Sequence, residues 1–413
     1  MNNTIEIMSP VGNYETLMAA IQGGADSVYF GVEHLNMRAK SANNFTLNEL
    51  NDVVNIAHKH NVKAYLALNT IIYDHEINLM NKILQAAAKA NIDAVIASDM
   101  AAITAARNYN LSIHASTQLN ISNSLAAEFF SQFCDTIVLA RELTLNQTKK
   151  IIDYIKQHNI TGPSGNLLKV EIFIHGALCM AISGKCYLSL HEFNSSANRG
   201  ACQQTCRRPY LVIDRETGYE LEIDNEYIMS PKDLATLPFL DKILQTGVNI
   251  LKIEGRARPP EYVKTVTQVY KQAVEAIQNN SFSQEKIQNW MDQLATVFNR
   301  GFWDGYYLGR KLGEWAKTSG SAATHKKVYV GKITNFFSKI NVAEIHVQAE
   351  ELSIGDEILI IGNKTGIFKD KVKEIRLNNK QVNIAPKGSV ISIPLSQRTR
   401  KNDKLYKWVK IKN

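Results

Sequence analysis

The chain has 413 residues, of which 45% are hydrophobic and 21% charged, with five cysteines and a formal net charge of +8. This length suffices for two or three compact units, and an ordinary composition without low-complexity tracts or solenoid-length repeats argues against a disordered or repeat protein. The N-terminal MNNTIEIMSP lacks a signal-peptide pattern, and no apolar run reaches the roughly 18 residues of a membrane span, so we expect a cytoplasmic protein without a membrane partner.

Short apolar runs alternate with helical patterns along the first two thirds of the chain. The first strand pattern is IEIMS, and a helical pattern and the strand pattern DSVYFGV follow it. The alternation continues to a seventh strand pattern, LKVEIFI, and returns with an eighth, NILKIEG. Buried parallel strands joined by amphipathic helices predict an α/β fold, here a (β/α)8 TIM-like barrel over residues 1–277. A Rossmann fold is disfavoured because no GxGxxG motif follows the first strand pattern.

The rest of the chain divides into a helical extension with a linker and a strand-rich module. Residues 278–325 contain the helical pattern SQEKIQNWMDQLATVFN and the linker KTSGSAATHKK begins within them. From residue 326 the hydrophobic period changes to two over six short runs. This pattern predicts a small C-terminal β-barrel domain over residues 326–413.

The positive charge lies almost entirely in the last module. Residues 326–413 contain 18 Lys and Arg against 8 Asp and Glu, whereas the preceding residues contain 29 against 31. A basic module on a nearly neutral body indicates a polyanionic partner, RNA or DNA first, because phosphate attraction grows with the number of charges presented. A basic domain without such a partner fits the composition equally well.

Four of the five cysteines lie in a cysteine-rich segment at residues 175–210. Six, fifteen and three residues separate Cys179, Cys186, Cys202 and Cys206 in turn. Disulfides are rare in a reducing cytoplasm, so these thiols are candidate metal ligands. Only the last interval suits zinc, whereas an iron-sulfur cluster tolerates varied spacing. A cluster, a structural zinc and a redox or unliganded set all remain open.

Charged residues are expected at the mouth of the barrel, where the C-terminal ends of the strands carry the active site in this fold. In KIEGR, Lys252, Glu254 and Arg256 occupy alternate positions and therefore point to one side. We interpret them as candidate catalytic residues, together with His175 at the end of the seventh strand. An internal salt-bridge network is the alternative explanation of the trio.

Two arginines of the cysteine-rich segment are candidate ligand-binding residues. Arg199 lies in a tight NRG turn, and Arg207 directly follows Cys206. A guanidinium beside thiolates either offsets their negative charge or holds a small carboxylate with two hydrogen bonds. A solvated basic loop is the alternative explanation.

Several motifs together resemble one known family. They are SPVGNYETLMAAIQGGADSVYFG, HGALCMAISGKC, ANRGACQQTCRRPY, MSPKDL, LKIEGR and RGFWDGYY. Over residues 5–310 the sequence is similar to peptidase family U32, also called collagenase-like proteases. Its β-rich C-terminal extension further resembles the branch of prephenate-dependent tRNA uridine hydroxylases, which form 5-hydroxyuridine at the wobble position. Related branches act on ribosomal RNA or in oxygen-independent ubiquinone hydroxylation.

This resemblance implies an oxygen-labile 4Fe-4S cluster and prephenate as a co-substrate. Carried over motif by motif, the cluster ligands are Cys179, Cys186, Cys202 and Cys206. In the ubiquinone branch a ligating cysteine follows the KDL motif, whereas Ala235 stands there in this chain. Either Cys206 serves instead, or one iron position stays open to substrate.

The resemblance also implies what the charged residues bind. Prephenate is a dicarboxylate, so its site is expected to be basic, and the candidates are Arg38, Arg199, Arg207 and Arg256. The basic C-terminal module would bind tRNA phosphates while the unpaired wobble base of the anticodon loop enters the barrel mouth.

Three alternative functions stay open at this point. Proteolysis has little support, because HExxH and GxSxG motifs are absent and a Cys–His pairing with His175 would use one thiol of four. The second is a non-catalytic RNA-binding factor with a zinc-stapled loop. In that case the basic module would bind RNA, and the thiols would have only a structural role. A hydroxylase acting on ribosomal RNA or on a small quinone precursor is the third, although a small substrate leaves the basic module without a role.

Overall fold

The computed structural model describes residues 5–411 except 41, 212, 219–226, 228, 310–312 and 319. Parts of the predicted barrel segment, of the predicted extension and linker, and the last two residues of the predicted C-terminal domain therefore lie outside the described residues.

The N-terminal region forms a closed barrel. Its sheet contains β1 (Glu6–Pro10), β2 (Ser27–Phe30), β3 (Lys63–Leu68), β4 (Ala94–Ala97), β5 (Ile113–Ala115), β6 (Thr136–Val138), β7 (Lys169–Gly176), β8 (Asp233–Ala235), β9 (Ile250–Ile253) and β10 (Phe302–Trp303). Within the described residues, β1 to β7 and β9 are eight parallel strands, and β9 closes the barrel by pairing with both β1 and β7. The predicted (β/α)8 TIM-like barrel is confirmed, with NILKIEG as its eighth strand.

Helices connect and surround these strands. They are α1 (Tyr14–Gln22), α2 (Leu50–Lys59), α3 (Ile77–Lys89), α4 (Met100–Asn108), α5 (Ser124–Ser131), α6 (Leu145–Gln157), α7 (Leu188–Phe193), α8 (Leu240–Gln245), α9 (Pro260–Gln278) and α10 (Gln284–Ala295). Short 3-10 helices lie at Leu47–Glu49, Asp74–Glu76, Thr117–Leu119, Ala197–Arg199, Thr205–Arg207 and Leu237–Phe239. In the part of the chain that the structure describes, no helix is long and apolar enough to cross a membrane.

The helices pack on the barrel through one repeated pattern of buried positions. In α2 the buried residues are Leu50, Val53, Val54 and Ala57, and α3 and α6 bury residues at the same spacing. This spacing of three, one and three places the buried side chains on one helical face. The strands between them, such as β2, β4 and β9, are buried at every position, as expected for a parallel sheet covered by helices.

Two short strands extend the barrel sheet at its mouth. β8 pairs antiparallel with the end of β7, and β10 pairs parallel with β8. β10 lies in the segment that the sequence pattern assigned to the extension and linker, so part of that segment completes the barrel sheet. The cysteine-rich segment leaves the barrel after β7 and returns before β8, which places it over the mouth.

The C-terminal domain is built of antiparallel sheet, as the period of two predicted. Its strands are β11 (His325–Phe337), β12 (Val342–Val347), β13 (Leu352–Ser353), β14 (Glu357–Gly362), β15 (Gly366–Lys371), β16 (Ile375–Leu377), β17 (Lys380–Val382), β18 (Ile384–Ala385), β19 (Val390–Pro394) and β20 (Lys404–Lys410). The larger sheet has the order β15-β14-β20-β11-β12-β19-β16-β17, and β13 pairs with β18.

The sequence pattern missed β20, which lies between β11 and β14. Its buried residues Leu405 and Trp408 are three positions apart and therefore lie on opposite faces of the strand. Leu405 belongs to the core of the C-terminal domain, whereas Trp408 belongs to the core shared with the barrel. A strand that is buried on both faces lacks the alternation that identifies a strand with one solvent face.

The C-terminal domain docks on helices α1 and α9 of the barrel. The Gln22 side chain in α1 accepts a hydrogen bond from the Ile367 amide and donates one to the Thr365 carbonyl oxygen, both at 2.9 Å. Lys264 in α9 donates to the Ile367 carbonyl oxygen at 2.9 Å. Polar contacts therefore surround an apolar interface to which β14, β15 and β20 contribute buried side chains.

Candidate active site

A cavity opens at the C-terminal ends of the barrel strands, beneath the cysteine-rich segment, and we refer to it as the central cavity. The barrel contributes polar and aromatic residues to its wall, among them Tyr29, Arg38, Asn69, Ser116, Gln118, Arg141, Phe173, Lys252, Glu254 and Arg256. The cysteine-rich segment forms the roof with residues that include Cys179, Met180, Ile182, Gly184, Cys186, Leu188, Asn198, Cys202 and Cys206. Barrels of this type carry their active sites at this end.

All four cysteines of the segment line the central cavity, and none of them is in a disulfide. Cys179 is exposed and the other three are half-buried. Burial raises the pKa of the Cys206 thiol, and the neighbouring thiols act in the same direction. Among the described residues, no three His, Cys, Asp or Glu side chains form a group that could hold one metal ion. The four thiols thus border one common space.

The cysteine-rich segment is fixed to the barrel by contacts on both sides of the thiols. The Arg207 guanidinium donates to the Leu178 carbonyl oxygen and, at 2.8 Å, to that of Pro231. On the other side, the Lys40 amide donates to the Gly200 carbonyl oxygen at 3.0 Å. Arg207 also donates to the Ser230 hydroxyl at 3.1 Å, so its guanidinium is engaged within the protein and does not line the cavity.

Glu254 is the centre of a charged wall in the cavity. Its carboxylate lies 2.8 Å from Nη2 of Arg38 and accepts a hydrogen bond from the Tyr29 hydroxyl at 3.2 Å. Burial alone would raise the pKa of Glu254, but Arg38 and its other cationic neighbours lower it to about 2. Arg256 donates to Asn36 Oδ1 at 2.9 Å, and burial lowers its pKa to about 10. At neutral pH the wall therefore carries one carboxylate between guanidinium groups.

A buried ion pair lies below this wall. Nζ of Lys252 is 2.7 Å from Oε1 of Glu171, and Nδ1 of His114 is 2.8 Å from the other carboxylate oxygen. Burial would raise the pKa of Glu171, but Lys252 and His114 lower it to about 2. The Lys252 ammonium also stands 4.5 Å from the ring centre of Tyr29 and 5.5 Å from that of Phe173. The carboxylate and the two aromatic faces thus stabilise the positive charge of Lys252 at the cavity floor.

His175 does not line the central cavity. It is 1% exposed and packs against the rings of Tyr262, Tyr270 and Phe302. Burial lowers its pKa to about 3, so its imidazole is neutral near pH 7. The strand pairing explains this position, because the register of β7 against β9 shifts between Phe173, which faces the cavity, and His175. The structure therefore brings Lys252, Glu254 and Arg256 together but leaves His175 outside.

Arg199 also lies outside the cavity lining. Its guanidinium forms two hydrogen bonds to the carboxylate of Glu76, at 2.8 and 2.5 Å, and stacks on the ring of Tyr73 at 3.9 Å. The Arg199 bond is the largest cause that lowers the pKa of Glu76. The guanidinium of Arg199 thus already binds a carboxylate through two hydrogen bonds. That carboxylate belongs to the chain itself and not to a ligand.

Sequence reasoning missed several residues that shape the cavity. Tyr29 and Phe173 lie in continuous apolar runs, where no pattern separates a side chain facing the cavity from one facing a helix. Glu171 had a detectable signal, because a carboxylate inside the apolar run KVEIFI needs a buried partner. That partner, Lys252, stands 81 residues later.

The region that forms this cavity is similar to known proteins. The sequence profile described as Peptidase family U32 matches residues 12–317. The chain belongs to this family. The match begins two residues after β1 and covers β2 to β10 and the whole cysteine-rich segment. It therefore contains every residue that lines the central cavity.

Three relatives carry names of two kinds. A protein of Porphyromonas gingivalis (strain ATCC BAA-308 / W83) named "Collagenase" is 56% identical over 99% of this chain and 99% of its own length. The "tRNA hydroxylation protein P1" of Bacillus subtilis (strain 168) is 30% identical over 90% of this chain and 86% of its own length. A 23S rRNA 5-hydroxycytidine synthase of Escherichia coli (strain K12) is 36% identical over 67% of this chain and 40% of its own length.

Proposed function

We propose that this U32 family protein is a cytoplasmic RNA hydroxylase that forms 5-hydroxyuridine at the wobble position of tRNA, with a 4Fe-4S cluster and prephenate as co-substrate. The observation that carries the proposal is the convergence of Cys179, Cys186, Cys202 and Cys206 on one cavity that also contains guanidinium groups. Relatives named as tRNA and rRNA hydroxylating proteins support RNA as the substrate class.

The four thiols suit a four-iron cluster in number, because each cysteine ligand of such a cluster binds a different iron. All four line one cavity, so each iron has a candidate ligand there. Replacing a pyrimidine C–H by C–OH is a two-electron oxidation, and such a cluster, when bound, would supply the redox-active centre that protein side chains alone do not provide.

Cys206 is the proposed fourth ligand. It lines the same cavity as the other three thiols, whereas Ala235 pairs with His175 in the strand ladder and is buried outside the cavity. At the position that is a cysteine in the ubiquinone branch, β8 therefore carries no thiol. The cavity contains a full set of four cysteines without it.

The proposed prephenate site is the guanidinium wall. Arg38, Arg141 and Arg256 all line the cavity beside the cysteines, and two carboxylates on one small molecule require two such partners. Glu254 holds Arg38 in place at 2.8 Å, so the wall is organised before a ligand arrives. Arg199 and Arg207, which the sequence also suggested for this ligand, remain predictions that the cavity lining does not support.

The decisive experiment compares tRNA nucleosides from a deletion strain, its parent and complemented strains by mass spectrometry. We expect 5-hydroxyuridine and its derivatives to disappear in the deletion strain, to return with the unchanged protein, and to stay absent with Cys202→Ala. Cys134→Ala is the matched control, because this buried thiol lies outside the cavity and is held by the Phe130 carbonyl oxygen at 3.1 Å.

Iron and sulfide analysis of the same purified variants completes the test. Anaerobically purified protein is expected to contain iron with near-equal inorganic sulfide, to retain both in Cys134→Ala, and to lose both in Cys202→Ala. Zinc without sulfide in the unchanged protein would contradict the cluster and favour the RNA-binding factor. Unchanged tRNA with an altered ribosomal RNA nucleoside would replace tRNA by rRNA as the substrate.

Peptidase activity is the second candidate, because the relative with 56% identity is named a collagenase. Hydrolysis by a cysteine requires a base within hydrogen-bonding distance of the thiol. None of the described residues that line the central cavity is a histidine, and Lys252 is already paired with Glu171. Cleavage of gelatin by the purified protein that is abolished in Cys179→Ala, but retained in Cys202→Ala, would support this candidate over hydroxylation.

A further inference from the structure

A second concavity lies where the barrel mouth meets the C-terminal domain, and we refer to it as the domain groove. Lys40 and Arg258 line it from the barrel side, and Lys327, Lys404 and Tyr406 line it from the C-terminal domain. Neither domain forms this groove alone. It therefore exists only because the C-terminal domain docks on the barrel.

The domain groove is strongly cationic. Its lining contains one carboxylate, that of Glu15, and five cationic residues: Lys40, Arg256, Arg258, Lys327 and Lys404. Lys327 also pairs with a carboxylate at 2.9 Å, and Lys404 lies 3.4 Å from Glu15 with its side chain 43% exposed. The exposed pair of Lys404 contributes little free energy, so Lys404 can exchange its carboxylate for a phosphate. The Lys327 side chain is only 27% exposed and keeps its carboxylate partner, Glu261.

Arg256 connects the domain groove with the central cavity. It is the residue that lines both, at the point where the chain leaves β9. Two glycines make room for it: a Cβ on Gly31 would lie 2.6 Å from its Nη1, and a Cβ on Gly12 would lie 2.7 Å from its carbonyl oxygen. Arg256 thus borders both the groove and the cavity.

The residue types in the groove match a single-stranded polynucleotide. Such chains bind where cations follow the phosphates and an aromatic ring offers a face to a base. Tyr406 is half-buried, and its ring centre lies 5.3 Å from Nζ of Lys327. The cations also come from both domains, so they line two sides of the groove along which an extended strand can lie.

We propose that the domain groove binds a single-stranded segment of RNA and leads it past Arg256 to the central cavity. The inference rests on the proposed function and deepens it, because it assigns the RNA to a surface formed by both domains. Phosphates lie against Lys40 and Lys404, and a base stacks on Tyr406. This binding does not require the exposed lysines elsewhere on the C-terminal domain.

The test measures binding of a fluorescently labelled oligouridylate by full-length protein over a series of salt concentrations. The variant Lys40→Gln/Lys404→Gln removes one cation from each wall, and Lys339→Gln/Lys380→Gln removes two exposed lysines outside the groove. We expect at least a tenfold loss of affinity for the groove variant alone, and a salt slope lower by about 1.4, about 0.7 for each phosphate contact of a single strand. Lys40→Arg/Lys404→Arg is expected to restore both.

Other outcomes separate the groove from the proposed function. Equal losses in the two glutamine variants, or no loss in either, would overturn the groove as the binding surface. Wobble hydroxylation in a strain complemented with the parent protein would leave the proposed function standing in those cases. If tRNA nucleosides are instead unchanged in the deletion strain, the proposed function fails, and the binding comparison still decides whether the groove binds RNA.

Discussion

Individual charged residues inside the barrel are stabilised by partners that are distant in the sequence. Lys252, Glu254 and Arg256 occupy alternate positions along and just beyond β9, and this alternation alone predicts that all three reach the same space. Their partners Glu171, Arg38 and Asn36 come from other elements. The local pattern therefore predicted which side chains face the cavity, but it did not predict whether they carry free or paired charges.

His175 provides a pH test of a buried group. Because burial holds its folded-state pKa at about 3, below its ordinary value of 6.5, the unfolded chain binds the proton more strongly. Stability from this residue is complete above pH 6.5 and is lost as the pH falls towards 3. Between pH 6.5 and pH 5 we expect a loss of roughly 2 kcal/mol, at about 1.4 kcal/mol per pH unit.

The measurement is urea unfolding of the parent and of His175→Phe at pH 7 and pH 5. The variant keeps an aromatic ring among Tyr262, Tyr270 and Phe302 but cannot titrate, so most of the pH dependence in this window is expected to disappear. Glu171 and Glu254 do not interfere, because their folded-state pKa values of about 2 place their effect below pH 4.5. An unchanged pH dependence in the variant would show that other groups cause it.

At the scale of elements, the cysteine-rich segment depends on close backbone contact with the loop after β2. Gly200 has φ of 81°, and a Cβ there would lie 2.2 Å from the Asn36 carbonyl oxygen. Only glycine meets both conditions without strain. The NRG turn thus sets the position of Cys202 two residues later.

Gly200→Ala is expected to lower iron and sulfide content strongly while the barrel remains folded, because the clash displaces the segment that carries the thiols. Gly165→Ala is the matched control, since Gly165 has φ of 76° but nothing within 4 Å of the added Cβ. Both variants share a backbone strain of about 1 kcal/mol. The comparison uses metal analysis beside circular dichroism melting, and equal cluster content in the two proteins would contradict the docking role of Gly200.

At the scale of the whole molecule, the sheet of the C-terminal domain is sandwiched between its own core and the barrel. In β14, Ile358 and Ile360 belong to the domain core, whereas Leu359 and Ile361 belong to the core shared with α1 and α9. This arrangement explains why four consecutive apolar residues, ILII, follow Glu357. It also means that neither unit is expected to unfold without exposing apolar surface of the other.

We therefore expect a single cooperative transition when the full chain is heated in a calorimeter under reducing conditions. Gln22→Ala removes the two hydrogen bonds to Thr365 and Ile367 across the interface, and it should lower the free energy of unfolding by about 1–3 kcal/mol. Two well-separated transitions in the unchanged protein would show that the domains are independent. In that case the domain groove would also lose its fixed geometry.

The sequence by itself determined the properties that depend on local periodicity and composition. The alternation of strand and helix patterns predicted the barrel, because the side-chain spacing that buries one face of α2 or both faces of β4 is visible within a few residues. The grouping of four cysteines after β7 and the positive charge of residues 326–413 are likewise countable. These features sufficed to predict the fold class and a site at the barrel mouth.

Only the tertiary structure decided which side chains meet. A register shift at the end of β7 turned His175 away from the cavity, and Glu76, distant in the sequence, occupied the guanidinium of Arg199. Burial on both faces concealed β20, and docking of the two domains created a groove that neither sequence segment contains. Each of these outcomes arises from contacts between residues far apart in the chain, and local patterns carry no information about such contacts.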